Sequence, residues 1–368
     1  MDVNTAIARM FVVGFDGHHI TDDVRRLIDR GIGGVILFTR NVESPVRLNA
    51  LCAELKGLAN GRPLFIAIDQ EGGRVARLRD GFTPIPSMRQ LGATGDATLA
   101  RRAGEVLGRE LRAVNIDVNF APVLDVDTNP ANPVIGSRSF GATAALVSEM
   151  GTALIAGLQS AGVAASAKHF PGHGDTSQDS HLDLPRLPHD LERLEAVELA
   201  PFAAAVRAGV ASIMSAHVLF EAIDPEYPAT MSAPVLQGIL RDRFGYDGVV
   251  FSDCLQMNAI AEHYGVEQAV IRGMNAGVDS FLICHHANVQ IEGIEALVKA
   301  VKDGRVSQAR IAQANRRIDA MCERFVRPAV PFDATQLRAE ASLRLVDDIE
   351  RRSVMAPDTS ADPTARVP

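Results

Sequence analysis

Eight apolar runs recur along this chain, at residues 10–14, 33–38, 64–69, 117–123, 163–169, 211–218, 248–253 and 280–284, with helical patterns between them. Most are continuous rather than alternating, as parallel strands covered on both faces require. Between residues 96 and 115, Leu99, Ala103, Val106, Leu107, Leu111 and Val114 fall on one stripe. Arg101, Arg102, Arg109 and Arg112 lie mostly off it and read as a solvated face. A second stripe, from Ile311 through Ala314, Ile318, Met321 and Cys322 to Phe325, follows Ser307, an expected N-cap. This alternation predicts an α/β fold, a single (β/α)8 TIM-type barrel with long βα loops. A doubly wound sheet is the main rival, and the lack of a G-x-G-x-x-G after the first run weighs against its dinucleotide-binding form. The barrel is expected over residues 1–330, a helical extension over 331–356 and a disordered tail over 357–368.

Composition narrows the function. The net charge of -8 argues against nucleic acid or an anionic membrane as partner, because both need a basic face. No apolar run approaches the ~18 residues of a membrane span. The start lacks a basic region and apolar core, so the expected location is cytoplasmic. Cys52, Cys254, Cys284 and Cys322 are scattered and read as reduced thiols. The oligomeric state stays open, with a monomer favoured.

In a barrel the working groups sit where strands end and the following loops begin. Asp69 ends the third run and leads into Glu71 and Arg77; Asp125 follows the fourth, in a loop that reaches Arg138. Lys168 and His169 end the fifth run, His217 the sixth, Asp253 the seventh, and His285 and His286 the eighth. The fifth opens into KHFPGHGDTSQDSH, from Lys168 to His181, a long loop dense in titratable groups. Acids, bases and fixed cations at one rim suit glycoside hydrolysis, which needs a carboxylate beneath the anomeric carbon and a proton donor at the leaving oxygen. Asp253, fixed by a buried strand, is the expected nucleophile. Asp179 and His181 form an i, i+2 acid–imidazole pair in which His181 is the acid/base and Asp179 orients it. Arg77, Arg138 and Lys168 are expected to hold sugar hydroxyls and carbonyl, with Asp69 accepting from hydroxyls.

Blander readings compete at several positions. His169 and His173 have the spacing of a zinc-binding helix, but Pro171 and Gly172 forbid that helix, and no metal or other cofactor is expected. Asp175, Asp179 and Asp183 lack the glycine and glutamate of a calcium loop. Glu71 pairs most simply with Arg74. Cys254 is expected to pack behind the nucleophile rather than react.

The central loop, followed by Leu184 and Pro185, resembles the signature of glycoside hydrolase family three, in its bacterial β-N-acetylglucosaminidase branch. IDQEGGRVARL from Ile68, APVLDV from Ala121, NPVIGSRSF from Asn132, PATMS from Pro228 and GVVFSD from Gly248 are similar to its other blocks in order. The resemblance implies a retaining, metal-free exo-enzyme with Asp253 as nucleophile and the Asp179–His181 pair as acid/base. It implies substrate contacts at Asp69, Arg77, Arg138, Lys168 and His169. It also implies a small saccharide or muropeptide substrate met during peptidoglycan recycling in the cytoplasm. A β-glucosidase or β-xylosidase, a phosphorylase using the histidine base, and a non-catalytic sugar-binding barrel are the alternatives. One departure is Cys254, where many relatives carry a second acid. Loss of that like charge lowers the pKa expected for Asp253.

Overall fold

The computed structural model describes residues 2–180 and 183–365. Eight parallel strands close into a barrel. They are β1 (Phe11–Val13), β2 (Gly34–Leu37), β3 (Phe65–Ile68), β4 (Val118–Asn119), β5 (Ala164–Phe170), β6 (Ser212–Ser215), β7 (Val249–Cys254) and β8 (Ser280–Ile283). Each neighbours its successor, and β8 returns to β1 with Phe281 opposite Phe11. The expected barrel is therefore the observed one.

Buried aromatic rings fill its interior. Phe251 meets Phe65 and Phe120 edge-on, at centroid distances of 5.9 and 5.3 Å. Gly34 makes room for them, since a Cβ there would lie 2.3 Å from the Phe65 ring. β4 is shorter than its apolar run, because Pro122 has no N–H for the ladder. The chain stays beside β5 all the same: Val123 bridges Lys168, and the Leu124 N–H donates to the Lys168 carbonyl at 2.6 Å. That path carries Asp125 to the mouth of the barrel.

The amino ends of the strands are tied by buried aspartates. Asp117 pairs with Lys56 at 2.8 Å and Arg112 at 2.6 Å, and accepts from the Ile66 N–H. Asp279 pairs with Arg241, Arg310 and Arg317 and accepts from the Val250 N–H. Charges at this end serve stability.

The helix Ala97–Ala113 buries the expected stripe, and Ser307 caps Gln308–Phe325 by accepting from the Arg310 N–H. The solvated arginine face needs correction. Arg112 holds Asp117, and Arg109 donates to Ser342 at 2.6 Å, because the helix Glu340–Arg352 packs against this one. All four cysteines are free and buried. No described helix is long and apolar enough to cross a membrane.

Candidate active site

At the carboxyl ends of the strands the sequence's candidates meet. Asp69, Arg77, Arg138, Lys168, His169 and Asp253 line one cavity, together with Phe38, Cys254, Met257, His285 and Thr364. Asp253 is the penultimate residue of β7, and the Cys254 N–H donates to its Oδ1 at 2.7 Å. A strand backbone therefore fixes this carboxylate at the cavity wall. His217, just past β6, braces the same spot: its Nε2 lies 3.1 Å from the Cys254 carbonyl and its Nδ1 2.9 Å from Thr230 Oγ1.

The opposite wall is a buried ionic network. Lys168 Nζ lies 2.7 Å from Asp69 Oδ1 and 2.7 Å from Glu71 Oε1. Arg138 forks onto Glu71, Nε to Oε2 at 2.9 Å and Nη2 to Oε1 at 2.8 Å. Its Nη2 is also 3.5 Å from His169 Nε2. Behind His169 sits Asp125, wholly buried, with Oδ2 2.7 Å from His169 Nδ1. Asp125 Oδ1 also accepts from the backbone N–H groups of His169 and His173. The carboxylate thus selects the Nδ1–H tautomer of His169 and leaves Nε2 toward Arg138.

Burial alone would neutralise these groups, and for all but His173 their partners reverse it. Burial pushes the Glu71 carboxyl up, but Arg138 and Lys168 outweigh it and hold it well below the usual carboxylate range. Burial pulls Lys168 down, yet Asp69 and Glu71 raise it further, so the ammonium stays charged. Burial would raise Asp125 too, and the His169 imidazole with its hydrogen bond brings it below its ordinary value. Burial pushes His173 down to about 4, helped by neighbouring His169. It is therefore neutral, bonded to Thr176 Oγ1 at 2.7 Å and Ser180 Oγ at 3.1 Å.

The Ser180 contact brings the long loop after β5 to the cavity, which Ser180 lines. Asp179 precedes it; His181 lies outside the described residues. Glu71 corrects one reading. Its partners are Arg138 and Lys168, whereas Arg74 reaches Ser360 and the carbonyls of Val134 and Ile135. A buried carboxylate takes the two buried cations beside it, and Arg74 sits farther out on the rim. Asp125 had only its position after the fourth run to mark it, and its role came from packing. Thr364 gave no signal, being a small polar residue far from every motif. Among the described residues no three His, Cys, Asp or Glu side chains gather as a metal site.

The chain matches the glycosyl hydrolase family 3 N-terminal domain over residues 3–321. It belongs to glycosyl hydrolase family 3. This family 3 chain is 45% identical over 282 residues to a β-hexosaminidase of Thiobacillus denitrificans, covering 75% of this chain and 78% of that one. A β-hexosaminidase of Nitrosomonas eutropha is 41% identical over 307 residues, 80% of this chain and 87% of the other. Among solved structures, a family 3 β-N-acetylglucosaminidase from Paenibacillus sp. FPU-7 superposes with a TM-score of 0.93 at 45% identity. The match covers 96% of this chain and 69% of that one. NagZ from Neisseria gonorrhoeae, in complex with N-trifluoroacetyl-D-glucosamine, gives a TM-score of 0.79 at 34% identity, over 93% and 98% of the two chains. The protein is a glycoside hydrolase.

Proposed function

We propose that the protein is a retaining exo-β-N-acetylglucosaminidase that releases non-reducing terminal N-acetylglucosamine from muropeptides or related β-linked saccharides. The observation that carries the reading is the cavity itself. A strand-fixed carboxylate, Asp253, lines it from β7, while Asp69, just after β3, and Lys168 and His169 of β5 line it too. The names of the relatives and the amino-sugar ligand of the Neisseria protein support the sugar.

In this reading Asp69 and Lys168 bind hydroxyls of the terminal sugar, and Arg77, Arg138 and His169 complete that wall. Asp253 attacks the anomeric carbon and forms a glycosyl ester. His181, oriented by Asp179, donates its proton to the departing oxygen. The same imidazole then takes a proton from water, whose oxygen displaces Asp253, and the sugar leaves with its configuration retained. Muropeptides place the reaction in cell-wall turnover, with a cytoplasmic site of action.

Hydrolysis of aryl N-acetyl-β-glucosaminide and aryl β-glucoside, each with and without phosphate, tests the proposal. Cleavage of the first alone, with free N-acetylglucosamine as product in both buffers, is expected. Preference for the glucoside would overturn the sugar, and a sugar phosphate as product would overturn hydrolysis.

A further inference from the structure

Residues 358–364 are bound beside the cavity, which Thr364 lines, by side chains from two different loops. After β3, Arg74 Nη1 donates to Ser360 Oγ at 2.9 Å, Arg77 Nη1 pairs with Asp362, and Arg77 Nη2 donates to Thr364 Oγ1 at 2.6 Å. After β4, the Ser137 hydroxyl donates to Asp358. Asp358 also lies 3.6 Å from Arg74, so the two aspartates of the segment meet the two arginines of the rim. Pro363 is buried.

Arg77 is only 4% exposed at its side chain. With one Nη on Asp362 and the other on Thr364, and Asp69 Oδ2 3.8 Å away, it joins the segment to the sugar-binding wall. Thr364 in turn lines the cavity that holds Asp253. Its hydroxyl donates to Asp362 Oδ1 at 2.7 Å and accepts from Arg77, which uses its proton and one lone pair. A hydroxyl oxygen has a second lone pair, suited to a sugar O–H. The Thr364 N–H donates to Asp362 Oδ1 at 2.8 Å, so this turn is held before any ligand arrives.

We propose that residues 358–364 are a strap that completes the sugar site, with Thr364 as a substrate-binding residue held in place by Arg77 of the sugar wall. This rests on the glycosidase reading above and extends it. An exo-acting site needs a wall beyond the terminal sugar, and the strap supplies one at the Asp69–Arg77 side.

The test uses full-length Thr364→Val, Thr364→Ser and Asp362→Asn, together with a chain lacking residues 357–368. KM and kcat are measured on the aryl N-acetyl-β-glucosaminide, with Tm alongside. Thr364→Val is expected to raise KM about threefold to tenfold, the worth of one neutral hydrogen bond. Thr364→Ser keeps the hydroxyl and should raise KM less than Thr364→Val does. Asp362→Asn, which weakens the bracket, should raise KM by about as much as Thr364→Val, and loss of the strap should raise it more than about tenfold, both with kcat nearly unchanged. Both should lower Tm by a few degrees, because buried Arg77 loses one carboxylate and keeps only that of Asp69, 3.8 Å away. A KM that is unchanged without the strap would make it a bystander, and a lower KM would make it an obstruction; either overturns the proposal. Wild-type activity is read separately. If another aryl glycoside proves to be the substrate, the sugar assignment fails and the KM ratios are taken on that glycoside instead.

Discussion

Replacing Glu71 with Gln isolates the ionic network that forms one wall of the site. The side chain is buried and faces Arg138 through two bonds of 2.9 and 2.8 Å and Lys168 through one of 2.7 Å. Gln keeps one acceptor but turns an N–H2 donor toward cations that are themselves donors. Removing one partner of a buried ion pair costs about 3–5 kcal/mol, because the remaining charge is stranded. Asp69 stays 2.7 Å from Lys168, which places the loss near the lower end, about 3 kcal/mol. At about 2–3 °C per kcal/mol for a large domain, Tm should fall by roughly 6–9 °C. The kcat/KM for the aryl N-acetyl-β-glucosaminide should fall at least about tenfold, since Lys168 and Arg138 lose their shared anchor. Differential scanning fluorimetry and steady-state kinetics read the two effects. Glu71→Asp keeps the charge and should fall less on both counts. If Glu71→Gln melts within about 2 °C of wild type and keeps its rate, the network does not hold the site and the reasoning fails.

Three further perturbations concern the same cavity. His173 is neutral in the fold, pushed from its ordinary 6.5 down to about 4, so the unfolded chain binds more protons between those values. Stability should then fall as pH drops from about 6.5 to about 4, by up to about 3 kcal/mol, and urea unfolding of His173→Gln should show a flatter pH dependence. Cys254→Asp sets a second carboxyl beside Asp253 and should move the acidic limb of the kcat/KM profile upward by about one pH unit; an unmoved limb would separate that limb from Asp253. Asp125→Asn removes the charge that selects the His169 tautomer and should lower kcat/KM about tenfold or more with the fold intact, which circular dichroism would check.

How far the site was legible depended on how locally each part is encoded. β7 and Asp253 could be read because a continuous apolar run ending in one acid states both the strand and the place its acid must occupy. Lys168 and His169 were legible for the same reason. The ionic partners were not, because Glu71 meets Arg138 across 67 positions and its nearest cation in sequence, Arg74, is the wrong one. Arg112 misled in the same way: an arginine off an apolar stripe reads as solvated until the fold sets it against Asp117. Thr364 carries no apolar period and no motif, so only the folded path of the chain brings it to Arg77.

The covalent bond from Asp253 to the sugar is the step on which the proposed mechanism turns. It is tested most directly by incubating the enzyme with a fluorinated N-acetylglucosaminide that carries a good leaving group, since slow turnover lets the glycosyl ester accumulate. Intact mass followed by peptide mapping should find one added sugar, on the peptide containing Asp253. An adduct on any other residue, or steady turnover with no adduct and an inverted product, would contradict the account.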